Sequence, residues 1–129
     1  MNRVKAENIR EIRKVYDFVI EDLQLEPTKG EIRDLIDELE SEDDFTIDID
    51  GKEYRFIKDY AIWEIYKEGI KEITEDCYEI KAPSWLVIDW EETAENCYVD
   101  GYGHHFSSYD GSEEEARLLR EDWYIFRTN

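Results

Sequence analysis

Two alternating runs joined by a two-residue turn constrain this chain more than any other feature. Phe45-Thr46-Ile47-Asp48-Ile49 and Glu53-Tyr54-Arg55-Phe56-Ile57 both repeat with period two, and Asp50-Gly51 lies between them. Period two puts alternate side chains on one face of a strand, and Asp-Gly accepts the left-handed backbone that a tight hairpin needs. An antiparallel hairpin is expected here, with helical periodicity on both sides of it.

Upstream, Ile9, Ile12, Val15, Tyr16, Val19, Ile20 and Leu23 recur at helical spacing over residues 7–23. Arg10, Arg13, Lys14, Asp17 and Glu21 fall on the other side, so a core-packing helix is predicted, broken by Leu25-Glu26-Pro27. Thr28-Lys29-Gly30-Glu31 fits a capping box and opens a second helix to about Ser41, with Ile32, Leu35, Ile36 and Leu39 inward. After the hairpin a third helix, from about Asp59 to Asp76, buries Ile62, Trp63, Tyr66, Ile70 and Ile73.

Pro83 to Ile88 reads as a short extended segment. Asp89 with Glu92 then caps a fourth helix whose Trp90, Ala94 and Cys97 face in. Two strands, Tyr102 to Tyr109 and Trp123 to Thr128, are expected to close the domain, with one or two helical turns at Ala116 to Arg120 between them. The expected fold class is α+β: a single small domain with about four helices and two β-hairpins forming an antiparallel sheet.

A length of 129 residues fits one such domain. Acidic residues number 35 and basic ones 16, a formal charge of −19, yet 41% of positions are hydrophobic and 14% aromatic. Disorder combines high charge with few apolar groups, so a folded acidic domain is expected instead. Direct binding of nucleic acid through the chain's own charge is excluded, because that affinity comes from Lys and Arg on phosphates. Peripheral binding to anionic membranes is not expected, on the same ground.

No run of 18 apolar residues spans a membrane, and Met1-Asn2-Arg3-Val4-Lys5 leads into an amphipathic segment rather than an apolar signal core. Cys77 and Cys97 are too few for a secreted disulfide scaffold and sit among core-type residues. They are expected to be reduced and buried, and the location cytoplasmic.

The charge is unevenly spread. Residues 1–20 carry 5 basic and 3 acidic groups, a net of +2, whereas residues 21–50 carry 2 basic and 13 acidic, a net of −11. Residues 51–80 give −3 and residues 81–129 give −7. Such density opposes folding, since like charges repel in the compact state and solubility needs a net charge of only about 2–8. A generic solvated surface or an adaptation to high salt would also be acidic, but abundant Ile and aromatic residues count against the second.

A surface built to imitate a polyanion accounts for the concentration. Carboxylates spaced three and four apart on a helix rise about 4.5–6 Å per step, and duplex DNA carries about one negative charge per 1.7 Å of axis. The main patch expected is Asp34, Asp37, Glu38, Glu42, Asp43 and Asp44, with Glu64, Glu68, Glu91, Glu92 and Glu95 as secondary candidates.

Other chemistry finds little support. His104-His105 is the only histidine pair, and on a strand neighbours point to opposite faces, which suits no single metal. Asp48-Ile49-Asp50-Gly51 begins like a calcium loop but lacks the later ligands. There is no GxSxG and no phosphate loop, so neither catalysis nor a cofactor is expected. Nine Tyr and four Trp are many for this length. Tyr98, Tyr102 and Tyr109 flank the Asp100-Gly101 and Asp110-Gly111 turns, so a contact surface around Tyr102 and Tyr109 is the alternative to mimicry.

Ile88-Asp89-Trp90-Glu91-Glu92-Thr93-Ala94-Glu95-Asn96, then Asp100-Gly101-Tyr102-Gly103 and the ending Trp123-Tyr124-Ile125-Phe126-Arg127, resemble the C-terminal module of ArdA-type antirestriction proteins over residues 85–129. His105 to Glu113 is also similar to small phage and mobile-element proteins. The resemblance implies an acidic DNA mimic, carried by a phage or plasmid, that blocks a restriction–modification enzyme or a CRISPR effector. The expected partner is thus a basic DNA-binding protein or complex, with no direct contact to nucleic acid or membrane. A homodimer pairing acidic faces end to end would lengthen the mimic, while like-charge repulsion opposes association elsewhere.

Overall fold

The computed structural model describes residues 6–78, 89–98 and 101–129, with side chains for all of these except 6–8 and 74–78. At its centre is the hairpin: β1 (Asp44–Ile49) pairs antiparallel with β2 (Lys52–Lys58). Asp50 and Gly51 have φ of 54° and 74°, the left-handed pair that matches the twist of the flanking strands. A second hairpin, β3 (Glu114–Leu118) and β4 (Glu121–Arg127), completes a four-stranded antiparallel sheet in the order β1-β2-β4-β3. The fold class is α+β, with five helices among the described residues.

Strand alternation divides the interior into two cores. Phe45, Ile49, Tyr54, Phe56, Leu118, Trp123 and Ile125 point to one face of the sheet. There they meet Val15, Phe18 and Val19 of α1 (Ala6–Asp17) and its continuation, and Leu35 and Leu39 of α2 (Lys29–Ser41). Phe45 stacks on Phe56 at 5.0 Å, and Trp123 meets both rings edge-on. On the other face, Ile57 and Phe126 pack against Ile62 and Tyr66 of α3 (Asp59–Tyr78), Ala94 of α4 (Trp90–Cys97) and Phe106 of the short α5 (Gly103–Phe106). Helices therefore cover both sides of the sheet.

The first helix differs from its expected form. After Asp17 it widens into a π turn, Phe18–Asp22, in which Leu23 N–H donates to the Phe18 carbonyl at 3.1 Å. Gln24, at φ 56°, turns the chain away. Burial is centred on Val15, Phe18 and Val19, so Ile9, Tyr16 and Ile20, expected inward, are exposed.

Four other expectations are corrected. Residues 102–109 form no strand: Tyr102 caps the single turn of α5, where Phe106 and Tyr102 pack among other rings. Gly103 there approaches the Gly111 carbonyl so closely that a Cβ would collide with it. Ala116 to Arg120 is not helical but belongs to β3 and its turn, in which Leu119 and Arg120 take φ of 50° and 68° without a glycine. Ile73 is exposed on α3. Cys97 is a free thiol but exposed, because the buried side of α4 is centred on Ala94. The Pro83 to Ile88 segment and the Cys77 side chain lie outside the described residues.

Candidate functional site

The acidic helix α2 is fixed at its start by a reciprocal cap. Thr28 Oγ1 accepts from Glu31 N–H at 3.1 Å, and Thr28 N–H donates to Glu31 Oε1 at 2.8 Å. Glu31 Oε2 accepts from Asp50 N–H at 2.8 Å, and Asp50 Oδ2 accepts from Glu26 N–H at 3.1 Å. The helix is thus tied to the hairpin turn. Hydrogen bonds from the Thr28 and Asp50 backbones hold the Glu31 carboxyl below its ordinary range.

From that anchor Leu35 and Leu39 are drawn into the core, with Ile32 and Ile36 packed against them. At about 100° per residue this turns Asp34 and Asp37 outward, with Glu38 and Glu40 on the two flanks. Asp34, Asp37 and Glu40 are exposed and Glu38 half-buried. Glu42 caps the end, its N–H donating to the Glu38 carbonyl at 2.9 Å, and is exposed as well. None of these five carboxylates forms an ion pair among the described residues; Lys29 and Arg33 are the exposed cations in the same helix. Glu40 was not among the expected site residues, although its place one helical step of three from Asp37 puts it only about 60° away.

Asp43 and Asp44 do not extend this row. Asp43 pairs with Lys58 Nζ at 3.2 Å and accepts from the Tyr60 hydroxyl. These bonds lower the Asp43 carboxyl and push the Tyr60 phenol up to about 12. Asp44 takes Arg55 in a two-pronged contact, Nε at 2.9 Å and Nη2 at 2.6 Å. Phe45 faces the α1–α2 core, so its strand neighbour Asp44 faces the opposite side. There Arg55 also covers the Phe106 ring at 4.9 Å. The six-residue patch therefore divides into a helical row and two structural ion pairs.

The secondary candidates lie across the sheet from α2 and divide again. Lys67 Nζ bridges Glu64 on its own helix, at 3.0 Å, and Glu91 on α4, at 2.9 Å. Trp63 Nε1 donates to the same Glu91 at 2.6 Å. Those bonds hold the Glu91 carboxyl down and the Lys67 ammonium up; Glu91 joins α4 to α3, and Glu64 steadies the bridging Lys67 from within α3. Glu68, Glu92 and Glu95 are exposed without an ion pair among the described residues. Glu68 borders an open groove with Glu72, Arg55 and His105. Exposed Glu114, Glu115 and Glu121 form a further acidic edge on the second hairpin, which the expected helical turn concealed.

His105 and Tyr102 serve packing. His104 and His105 sit on one helical turn rather than a strand; His105 lies 5.0 Å from the Tyr66 ring, and its proton affinity is lowered by burial and by Arg55. Tyr102 meets Tyr66, Tyr98 and Tyr124 at 4.9–5.5 Å, and burial pushes its phenol up to about 12. Tyr109 is exposed, with the Arg127 guanidinium 3.6 Å above its ring. Among the described residues no three Asp, Glu, His or Cys side chains converge to hold a metal ion, and no helix is long and apolar enough to cross a membrane.

Comparison with protein families, with curated proteins and with solved structures finds no match to this chain. Its function has to be argued from the arrangement of these side chains.

Proposed function

We propose that this protein inhibits a host DNA-targeting defence system, a restriction–modification enzyme or a CRISPR effector, by occupying its basic DNA-binding surface as an acidic DNA mimic. The observation that carries the reading is the unpaired row Asp34, Asp37, Glu38, Glu40 and Glu42 on a helix locked at its N-terminus. At a rise of about 1.5 Å per residue the row spans about 12 Å, or about 3 Å per charge. One strand of duplex DNA presents a charge about every 3.4 Å. A cleft lined with Lys and Arg for phosphates finds similar charge spacing along α2, on a backbone whose start is fixed by the Thr28–Glu31 cap.

The resemblance of residues 85–129 to the ArdA C-terminal module supports the same reading and a phage or mobile-element origin, with action in the host cytoplasm. The mechanism is steric and electrostatic occupation: it assigns no catalytic step, no cofactor and no contact with nucleic acid or membrane. Glu68, Glu92 and Glu95 contribute at most a second contact, since they stand on the opposite side of the sheet. A contact surface around Tyr102 and Tyr109 is the weaker reading, because Tyr102 is spent on the aromatic core and Arg127 covers Tyr109.

Plasmid-cleavage assays with purified restriction–modification enzymes and CRISPR effectors test the proposal. Inhibition of at least one of them is expected, falling about tenfold or more between about 50 and 200 mM salt. Asp34→Lys/Asp37→Lys/Glu38→Lys should abolish it while the circular dichroism spectrum is retained. Inhibition that ignores salt, or survives the triple reversal, refutes occupation by this helix.

A further inference from the structure

The first helix has a second apolar face that the core does not use. Ile9 is 57% exposed, Tyr16 45% and Ile20 37%. Ile9 and Tyr16 lie about 20° apart on α1 by helical geometry, and Ile20, in the π turn that follows, continues the exposed row to a length of about 15 Å. The inward side chains Val15, Phe18 and Val19 occupy a separate sector of the same helix. Tyr60, Ile73, Tyr98 and Tyr109 are exposed elsewhere, but these three share one helix face, and apolar side chains grouped on one face mark an interaction site where scattered ones do not.

The charges beside the stripe identify what covers it. Along one flank the order is Arg10, Arg13, Asp17, Glu21: basic in the first half, acidic in the second. Within one copy only Arg13 and Asp17 meet, at 4.0 Å and with side chains 81% and 48% exposed. A two-fold axis between Arg13 and Tyr16, perpendicular to the helix, sets Ile9 against Ile20 of a second copy. It also lays the basic half of each flank beside the acidic half of the other. A parallel pairing brings that flank against the opposite one and gains no such match.

We infer that a second copy of this chain docks on the Ile9–Tyr16–Ile20 face of α1, giving an antiparallel, isologous dimer. The inference does not depend on DNA mimicry. It assigns dimerisation to the first helix, where basic and acidic side chains are interleaved, rather than to the acidic faces. Both copies are strongly negative overall, so the dimer requires enough salt to screen remote carboxylates. At about 0.15 M the Debye length is about 8 Å, which screens those and spares pairs across the seam.

Sedimentation equilibrium of the full chain at that salt, from micromolar to near-millimolar concentration, provides the test. The expected mass rises from 15.6 kDa towards twice that value. Ile9→Asp/Tyr16→Glu, both at exposed positions, should remain monomeric with an unchanged melting temperature. Arg10→Glu/Arg13→Glu should raise the dissociation constant at least tenfold, and adding Asp17→Lys/Glu21→Lys to that chain should restore it. A mass of 15.6 kDa at every concentration overturns the inference and leaves the stripe to another protein or to the chain's own first residues. Dimerisation that survives Ile9→Asp/Tyr16→Glu places the contact elsewhere, and failure of the fourfold charge exchange to restore association refutes the antiparallel arrangement.

Discussion

The two sides of the sheet carry helices of similar acidity and use that acidity differently. On the α1–α2 side, a core of aliphatic side chains around Phe45, Phe56 and Trp123 supports a helix whose outward carboxylates have no ion-pair partner among the described residues. On the α3–α4 side, the core is a cluster of aromatic rings around Tyr66, and Lys67 and Trp63 claim two of the outward carboxylates for holding helices together. Net charge alone does not distinguish them. What distinguishes a carboxylate with spare interaction capacity from a structural one is whether a cation already stands within 4 Å; the whole α2 row from Asp34 to Glu42 is open on this criterion, whereas the α3–α4 side is divided between paired Glu64 and Glu91 and open Glu68, Glu92 and Glu95.

A crossed experiment attacks that contrast with the largest expected effect. Lys substitutions at Asp34, Asp37 and Glu38 should cost at least ~100-fold in inhibition, each swinging the local charge by two. They should leave the melting temperature nearly unchanged, because the pairs among the three sites stay like-charged and the attraction of Arg33 for position 37 is lost, while new opposite-charge pairs with Glu31 and Glu40 three residues away offset that loss, each pair amounting to about 0.2–0.5 kcal/mol. Glu64→Lys/Glu91→Lys should do the reverse, lowering the melting temperature and sparing inhibition. If both sets act alike in nuclease assays and thermal melts, the division between the two sides collapses.

The cores sharpen the same contrast. Tyr66→Ala opens a void beneath Trp63, Tyr98, Tyr102 and His105 and should destabilise by about 3–5 kcal/mol in urea titrations. Leu35→Ala should cost about 2–5 kcal/mol and also disorder the acidic row, so inhibition falls with it. Loss of stability without loss of inhibition at Leu35 would separate the row from its support.

Two glutamates provide a smaller comparison with opposite signs. Glu31 is held below its ordinary 4.5 in the folded state, so it contributes stability above that pH and loses it as pH falls through the lowered value. Glu113, on the aromatic side, is raised from 4.5 by burial and by Glu115. It binds its proton more tightly when folded, so its contribution is favourable below 4.5 and declines as pH rises through the raised value. Urea midpoints at pH 7 should therefore fall with Glu31→Gln and rise with Glu113→Gln, and both differences should shrink towards pH 3. The same sign for both variants would contradict the environments described.

Much of the fold was legible because local signals agreed with packing. Asp50-Gly51 announced the first hairpin, and Thr28 with Glu31 announced the start of α2. The second hairpin was hidden because its turn is Leu119-Arg120, two residues with no preference for positive φ, following Ala116-Arg117-Leu118, which favour helix. Aromatic residues around Phe106 imitated a strand, and only ring contacts from distant parts of the chain fold them into a turn. Of the acidic patch, the helical row followed from periodicity. The exclusion of Asp44 was also available from strand alternation, since its neighbour Phe45 must face inward. The bond from Lys67 to Glu91, 24 positions apart, had no local signature.

Among the described residues, the strand order β1-β2-β4-β3 leaves β1 and β3 at the edges of the sheet. Asp48 stands exposed on the first, and Glu114 and Glu115 on the second. An uncovered rim invites another chain to add a strand, the first step towards fibrils, and buried-bound charge makes that addition unfavourable. The acidity of this protein thus also acts as a guard against self-templated aggregation, and variants that strip these rims of charge should be the ones that precipitate on storage.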